Sequence, residues 1–137
     1  MATKPVQKLI IIASIVVVLL AIGFVLLWCF ADRLFYYPDA RVYGTPEDYG
    51  VTAEDVTFAA PNGPQLHGWW LPAVGESRGT VVYCHGNAAN VTLHTRYVAW
   101  LPARGYSVLV FDYRGYGKSL GRATRDGTVA DAVAALD

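Results

Sequence analysis

The stretch TVVYCHGNAAN, residues 80–90, joins a run of strand-forming residues directly to a histidine, a glycine and an asparagine. Thr80–Cys84 is short, continuously apolar and rich in β-branched residues, which is typical of a strand buried on both faces. The glycine and the asparagines that follow are residues that favour turns. The sequence therefore predicts a buried strand that runs into a turn at His85.

A helix is predicted after this turn. Asn87 or Asn90 would cap its first turn, and Pro102 and Gly105 mark its end. Its apolar positions are spaced so that they share one helical face: Leu93, Tyr97, Trp100 and Leu101. We expect this face to be the buried one.

The flanking segments complete the predicted domain. Upstream, residues 54–60 (EDVTFAA) and 65–73 (QLHGWWLPA) flank Pro61–Pro64, which predicts an antiparallel hairpin with an Asn-Gly turn. Downstream, residues 106–112 (YSVLVFD) predict a second buried strand, and a second helical stripe follows the next loop: Val129, Ala132, Val133 and Leu136. The order is a hairpin and then β-α-β-α, so the predicted fold class is α/β, with parallel strands joined by right-handed crossovers.

The amino-terminal part has a different composition. Residues 9–30 (LIIIASIVVVLLAIGFVLLWCF) carry no charge, and about 20 apolar residues are enough to cross the hydrocarbon layer of a bilayer. The run is longer than a signal-peptide core and no small-residue cleavage site follows it, which predicts an uncleaved transmembrane anchor in the lipid bilayer. Aromatic residues near its far end fit an interfacial belt: Trp28, Phe30, Phe35, Tyr36 and Tyr37.

Four segments are predicted along the chain. They are a tail at 1–8, the anchor at 9–30, an irregular juxtamembrane connector at 31–50 and a partial α/β domain at 51–137. The number of basic residues barely differs between the two flanks of the anchor. The positive charge of the amino-terminal amine then favours a cytoplasmic amino terminus with the domain outside the cytoplasm. Two parallel strands and a hairpin bury little surface, so we expect the sequence to stop within its fold.

Charge and cysteine content bear on partners and cofactors. The 137 residues include 11 basic and 11 acidic ones, and no Lys/Arg-rich stripe stands out, so no nucleic-acid partner is expected. Cys29 lies in the anchor and Cys84 in a strand, so we expect two buried, unpaired thiols. No metal spacing such as C-x-x-C occurs, so no metal is expected. No organic cofactor is implied either. The sequence makes no prediction of the oligomeric state.

The turn after Thr80–Cys84 could bind an anionic group through its backbone N–H groups. Ligands of open α/β sheets bind at the carboxyl ends of the strands. A turn that leads into a helix points backbone N–H groups outward, at a place where negative charge is favoured. Such N–H groups can hold the oxyanion of an acyl-transfer intermediate.

Three stretches together resemble the opening half of an α/β-hydrolase: residues 54–73, 80–90 and 105–121. The resemblance is most specific in H-G-N-A-x-N followed by D-Y-R-G-Y-G-K-S, and it covers roughly residues 33–137. Within that superfamily the chain is similar to membrane-attached α/β-hydrolase-domain proteins, which include eukaryotic protein depalmitoylases and bacterial proteins described as serine-aminopeptidase-like. The resemblance implies that the intact protein hydrolyses small acyl or peptide substrates.

The resemblance also implies roles for the turn. In α/β-hydrolases the loop after the third strand supplies one donor of the oxyanion hole, and Thr80–Cys84 is the third strand when the two hairpin strands are counted. The backbone amides of Asn87 and Ala88 would then be oxyanion donors, with His85 and Gly86 shaping the turn. These four residues are the predicted site.

The triad itself is expected to be absent. In the family the serine lies in a G-x-S-x-G elbow after the next strand, and the acid and the histidine follow it. We expect no G-x-S-x-G anywhere in this sequence, and no triad residue is assigned. His85 precedes the position of the serine, so it is expected to fix the turn rather than act as a base. His67 and His94 are expected to be packing or surface residues, and Ser119 has no elbow context.

Three functions remain open. The first is a membrane-anchored serine hydrolase of esters, thioesters or amides, whose 137 residues are inactive by themselves because the nucleophile is missing. The second is a non-catalytic, truncated membrane or interaction protein. The third is a dinucleotide-binding oxidoreductase, because Gly115, Gly117 and Gly121 follow a strand. The same glycines also fit a tight turn in which Asp112 and Arg114 hydrogen-bond within the loop.

Overall fold

The computed structural model describes residues 4–60 and 63–137 of the chain. They fall into two units, one that ends at Leu34 and one that comprises Phe35–Asp137. The first unit is a single helix. The second contains every strand among the described residues, and it carries the predicted site.

The first unit is helix α1, Lys4–Phe35. Pro5 lies in its first turn, where the missing N–H would have no partner within the helix. The apolar run at residues 9–30 contains one polar residue, Ser14, and one glycine, Gly23. None of its residues is buried, and its most apolar window has a mean hydropathy of 3.3. The helix is therefore long and apolar enough to cross a membrane, judged by length and composition.

Helix α1 extends past both predicted limits of the apolar segment. It begins within the predicted tail and continues for five residues beyond Phe30, so Ala31–Phe35 is helical where the sequence predicted an irregular connector. The rest of that connector holds the short strand β1, Tyr37–Pro38, and one 3-10 turn, Glu47–Tyr49. Gly50, with φ of 71°, ends this turn in a conformation that favours glycine.

The second unit is built on a four-stranded sheet. In chain order its strands and helices are β2 (Glu54–Ala59), β3 (Gln65–Leu71), β4 (Gly79–Cys84), the short β5 (Ala88–Ala89), α2 (Val91–His94), β6 (Tyr106–Phe111) and α3 (Arg125–Ala134). The strand order in the sheet is β2-β3-β6-β4. Strands β2 and β3 form the predicted antiparallel hairpin, and β4 and β6 pair in parallel. The predicted α/β fold class is confirmed, while Pro61 and Asn62 of the predicted turn lie outside the described residues.

Strands β4 and β6 have similar sequences and different burial. Strand β6 lies between β3 and β4, and Val108, Val110 and Phe111 are fully buried. Strand β4 lies at the end of the sheet order, and no residue of it is buried. The prediction that Thr80–Cys84 is buried on both faces is therefore wrong for the described residues. Cys84, predicted to be buried, is exposed.

The predicted helix after the turn is present only in part. Asn90 caps α2, because its side chain accepts a hydrogen bond from the Thr92 N–H. After His94 the chain continues as 3-10 and turn conformations, and Gly105, with φ of 83°, ends the last of them. Because the helical period breaks there, Tyr97 and Trp100 are half exposed rather than buried.

Helix α3 also turns a different face inward from the predicted one. Thr124 caps it, accepting a hydrogen bond from the Gly127 N–H, and Gly127 and Asp131 are its buried residues. The predicted apolar stripe is exposed at three of its four positions: Val129, Val133 and Leu136. A polar contact, described below, decides this orientation.

The core lies between the sheet and the α2 region. Its buried members are Trp69, Leu71, Val91, Val98, Val108 and Val110. This packing fixes the carboxyl ends of β4 and β6 side by side. His85 follows the first of these ends and Asp112 the second.

Candidate active site

The predicted site residues lie together in the turn between β4 and α2. His85 is buried, Gly86, Asn87 and Ala88 are exposed, and the turn leads through β5 into the capped start of α2. The position, beyond the carboxyl end of a parallel strand, is the one where α/β sheets bind ligands. The chain therefore presents exposed backbone beside a buried histidine at this edge.

His85 is held as a neutral side chain inside the turn. Its Nδ1 lies 2.6 Å from the Gly86 carbonyl oxygen. An oxygen at that distance accepts from an N–H, so the proton belongs on Nδ1 and Nε2 carries the lone pair. Burial lowers the pKa of His85 below its ordinary value. The ring contacts His94, Tyr113 and Tyr116, with centroids 4.7–5.1 Å apart.

Asn87 is fixed through its carbonyl and its side chain. Its carbonyl oxygen accepts from the Tyr37 N–H at 2.9 Å and from the Tyr116 hydroxyl at 2.8 Å. Its Nδ2 donates to the Phe35 carbonyl at 2.7 Å. No backbone hydrogen bond outside the ladders uses the N–H of Asn87 or of Ala88 within residues 4–60 and 63–137. The arrangement holds the Asn87 carbonyl and side chain in place, and both Asn87 and Ala88 are exposed.

A cavity of about 230 Å³ opens beside the turn. Burial, together with the neighbouring Cys84 thiol, holds the pKa of Tyr113 well above its usual value, so its hydroxyl stays protonated. Among the described residues, no carboxylate, ammonium or guanidinium group lines the cavity. Its lining is aromatic and neutral: Tyr36, His85, Gly86, Asn87, Tyr113, Tyr116 and Thr128.

Asp112 lies behind the turn and is 1% exposed. One oxygen, Oδ1, accepts from the Val91 N–H at 2.8 Å and lies 3.6 Å from His85 Nε2. The other, Oδ2, lies 3.8 Å from His67 Nδ1. The carboxylate thus lies between two histidines and holds the first residue of α2. The sequence predicted hydrogen bonds within the loop instead, which is wrong for this side chain.

His67 is the histidine on the other side of Asp112. It is 6% exposed, and its Nε2 is hydrogen-bonded to Asp55 Oδ1. The neighbouring Asp112 carboxylate raises the pKa of His67, and the bond to Asp55 adds to this against the opposing effect of burial. Lys118 lies near the exposed end of Asp55, at 3.5 Å from Oδ1. His67 was expected to be a packing or surface residue, and no local pattern indicates that it would face a buried carboxylate.

Arg114 binds across to α3. Its Nε and Nη2 donate to the Asp131 carboxylate at 2.6–3.0 Å, and its backbone N–H donates to Oδ2 at 2.9 Å. A Cβ on Gly127 would lie 2.6 Å from the Arg114 side chain. The buried carboxylate and this glycine explain why α3 turns its polar face inward and leaves its apolar stripe exposed. The predicted hydrogen bonding of Arg114 within its own loop is corrected accordingly.

The pattern G-x-S-x-G occurs twice by its letters, contrary to the sequence-based expectation, at Gly75–Gly79 and Gly117–Gly121. Neither match is a strand–serine–helix elbow. Ser77 is exposed in the loop that enters β4, and its hydroxyl bonds only to Gly79 among the described residues. Ser119 is buried, donates to the Asp112 carbonyl at 2.6 Å and accepts from the backbone N–H of His67. Neither serine is assigned as a nucleophile.

The loop after β6 does not have the form of a phosphate site. A Cβ on Gly117 would lie 1.9 Å from Asp112 Oδ2, so the glycine lets the backbone approach a carboxylate, which would repel a phosphate. Elsewhere in the part of the chain that the structure describes, no group of three or more His, Cys, Asp or Glu residues could hold a metal ion.

Comparison with known proteins agrees with this geometry. A family model described as serine aminopeptidase, S33, matches residues 75–137. The protein YfhR of Salmonella typhimurium, described as uncharacterized, is 44% identical over 112 residues, which are 78% of this chain and 37% of that protein. The α/β hydrolase domain-containing protein WAV2 of Arabidopsis thaliana is 32% identical over 122 residues, 84% of this chain and 40% of that protein.

A solved structure shows the same fold. The esterase Pf2001 of Pyrococcus furiosus superposes with a TM-score of 0.62 at 29% identity, covering 74% of this chain and 40% of the esterase. The chain therefore spans about two fifths of the length of the relatives that it matches.

Proposed function

Because the chain belongs to the α/β-hydrolase superfamily, we propose that it is the oxyanion-binding part of a membrane-anchored serine hydrolase that acts on acyl compounds. The esters, thioesters and amides of this class pass through a tetrahedral oxyanion. In this proposal the amides of Asn87 and Ala88 bind that oxyanion, His85 and Gly86 shape the turn, and none of the 137 residues is the nucleophile.

One observation carries this proposal. The turn after β4 holds Asn87 by its carbonyl and its side chain. Among the described residues no backbone hydrogen bond outside the helices and strands uses the Asn87 N–H, which in this proposal receives an incoming oxygen. Donors that are already oriented need no reorganisation when charge develops on the oxygen, which is why they contribute strongly to catalysis. The neutral lining of the adjacent cavity suits an uncharged acyl compound better than an ionic one.

The proposal implies little reactivity for the 137 residues alone. One oxyanion donor is worth about 10²–10³ in rate, whereas loss of the triad serine costs about 10⁶ in subtilisin. We expect that a serine-directed fluorophosphonate probe does not label the purified 137-residue chain. In membranes of the source cells, the probe is expected to label a protein that contains this chain, at a serine outside residues 1–137.

The mapped position of the label decides the outcome. A label on Ser77 or Ser119, abolished by S77A or S119A, would refute the assignment of the nucleophile to other residues. Absence of any labelled protein containing this chain, with a known serine hydrolase labelled in the same membranes, would refute the serine mechanism.

The membrane attachment is part of the proposal. Exposed aliphatic side chains along α1 have no protein surface of their own unit to cover them, and a bilayer is the solvent that accepts them. The predicted orientation has a cytoplasmic amino terminus. In a C29S background, an impermeant maleimide added to intact cells is expected to label the exposed Cys84. Labelling only after lysis would reverse the orientation, and extraction of the protein by alkaline carbonate would refute the anchor.

A further inference from the structure

The residues that follow α1 run alongside the turn of the proposed oxyanion site. We call residues 35–43 the anchor-proximal segment and residues 85–92 the turn segment. Strands β1 and β5 pair the two in parallel, with Tyr37 opposite Ala88 and Pro38 opposite Ala89. The connector that the sequence described as irregular is therefore part of the structure around the site.

Asn87 is bound directly by the anchor-proximal segment. The Phe35 carbonyl accepts from its side-chain amide at 2.7 Å, and the Tyr37 N–H donates to its backbone carbonyl at 2.9 Å. The Asn87 carbonyl shares its peptide plane with the Ala88 N–H, which is one of the two proposed oxyanion donors. The bond from Tyr37 therefore orients that donor, and the bond to Phe35 holds the Asn87 side chain.

The far end of the turn segment is bound in the same way. Asn90 is 1% exposed, and its Nδ2 donates to the carbonyls of Asp39 and Arg41 at 2.8 and 2.9 Å. The Thr92 hydroxyl donates to the Arg41 carbonyl at 3.3 Å and accepts from the Tyr43 N–H at 3.0 Å. The contact thus extends over the whole length of both segments.

The backbone between these two ends is strained. Ala89 has φ of 61°, and it is the one non-glycine residue with positive φ among residues 4–60 and 63–137. A residue with a Cβ keeps this conformation only where its surroundings determine it. Pro38 of the anchor-proximal segment lies opposite it in the short ladder. The strain therefore lies where the two segments meet.

We propose that the anchor-proximal segment is the positioning element of the turn segment, so that the geometry of the Asn87 and Ala88 amides depends on the residues that join α1 to the domain. Its importance for catalysis rests on the proposed function, whereas the positioning itself does not. The segment touches no reacting atom and acts through Asn87, Asn90 and Thr92.

Two variants test the proposal in the full chain in detergent micelles. Asp39→Ala changes only the anchor-proximal segment, because the Asp39 carboxylate accepts from the Arg41 N–H and the Tyr43 hydroxyl. Asn90→Asp removes the two amide donors and keeps an oxygen that can cap α2. The matched controls are Asp48→Ala, which removes a similar local bond to Thr45, and Gln65→Glu, an exposed amide-to-acid change.

The measurements are amide chemical shifts and hydrogen exchange by NMR. In both test variants we expect the amide signals of Asn87 and Ala88 to shift, and the Val91 N–H to exchange about tenfold faster or more. The amides of β6 report whether the sheet is intact and are expected to be unchanged. If Asn90→Asp disrupts the sheet, Asp39→Ala remains the test. The controls are expected to leave the turn signals in place.

Faster exchange at the Tyr37 and Tyr43 amides with unchanged Asn87, Ala88 and Val91 would overturn the proposal, because the segment would then lie on the turn without positioning it. This outcome is independent of the fluorophosphonate test. The two tests can also give different results. If Asp39→Ala shifts the amide signals of the turn but the fluorophosphonate probe labels no serine, the positioning role is supported and the hydrolase function is refuted.

Discussion

His67 and His85 lie on opposite sides of the same carboxylate, that of Asp112, at 3.8 and 3.6 Å from its two oxygens. In each histidine one ring nitrogen faces Asp112, and the two residues differ in the partner of the other ring nitrogen. On the His67 side a second carboxylate, Asp55, accepts a hydrogen bond, and the pKa of His67 is raised. On the His85 side the Gly86 carbonyl is the partner, aromatic rings enclose the side chain, and burial lowers its pKa.

One buried carboxylate thus faces two histidines whose pKa values are shifted in opposite directions. His67, whose pKa is raised, faces the Asp112 charge from strand β3, at the same edge of the sheet as the turn. A neutral His85 donates to the turn backbone and adds no charge beside the proposed oxyanion amides. In the proposed function the backbone of the turn binds the oxyanion, and His85 is a structural residue that begins the turn.

The largest expected effect comes from removing the shared carboxylate. Asp112→Asn leaves His67 without its buried counter-charge and weakens the bond to the Val91 N–H. Breaking a buried ion pair by changing one partner costs about 3–5 kcal/mol. We expect a decrease of that order in the free energy of unfolding by urea, measured by tryptophan fluorescence in micelles.

Asp126→Asn is the matched control, because Asp126 is exposed in the first turn of α3. Its loss is expected to cost less than about 1 kcal/mol. Equal effects of the two substitutions would show that the buried carboxylate does not organise the two histidines.

A smaller effect is expected from crowding the carboxylate while keeping its charge. In Gly117→Ala the new Cβ would lie 1.9 Å from Asp112 Oδ2, at a backbone φ of 51°. Gly50→Ala introduces the same residue at φ of 71° with nothing within 4 Å. Both variants carry the backbone strain of a positive φ. Gly117→Ala is therefore expected to lose more unfolding free energy than Gly50→Ala, and the difference is the steric cost of about 1–3 kcal/mol. Equal losses would mean that the carboxylate moves without cost.

The smallest effects distinguish the two histidines by pH. His67 has a raised pKa in the folded protein, so its contribution to stability is complete below its ordinary value of 6.5 and is lost as the pH rises through the folded pKa. His85 has a lowered pKa, so the unfolded chain takes up the proton first and stability falls as the pH drops below 6.5. A tenfold difference in proton affinity corresponds to about 1.4 kcal/mol.

Thermal unfolding between pH 5 and 8 checks this assignment. The His67→Gln variant is expected to lose less of its unfolding temperature than the unchanged protein as the pH rises. The His85→Gln variant is expected to lose less of it as the pH falls. An exchange of the two effects would reverse the charge states that we assign, and NMR titration of the two rings would show the same reversal directly.

Local patterns predicted much of the fold. Two strand-like runs around an Asn-Gly pair predicted the hairpin of β2 and β3, and apolar β-branched runs predicted β4 and β6 as parallel strands. The Asn90 cap was one of two candidates that the sequence offered. The H-G-N turn was recognised by its residues and by its place after the third strand.

Other expectations failed because they assumed that apolar residues face the core. Val129 and Val133 were expected inside α3, yet the buried face carries Gly127 and Asp131, because Arg114 reaches that carboxylate from another loop. Strand β4 was expected to be buried like β6, yet its apolar composition does not show which of the two has a neighbour on each side.

The sequence by itself determined the kinds and the order of the elements, the apolar amino-terminal helix and the residues of the turn, because propensity and periodicity act between near neighbours in the chain. Only the tertiary structure decided the surroundings of those residues: Asp112 between His67 and His85, and residues 35–43 along the turn. Such contacts join positions tens of residues apart, and their energies depend on distance and burial, which a local pattern does not contain.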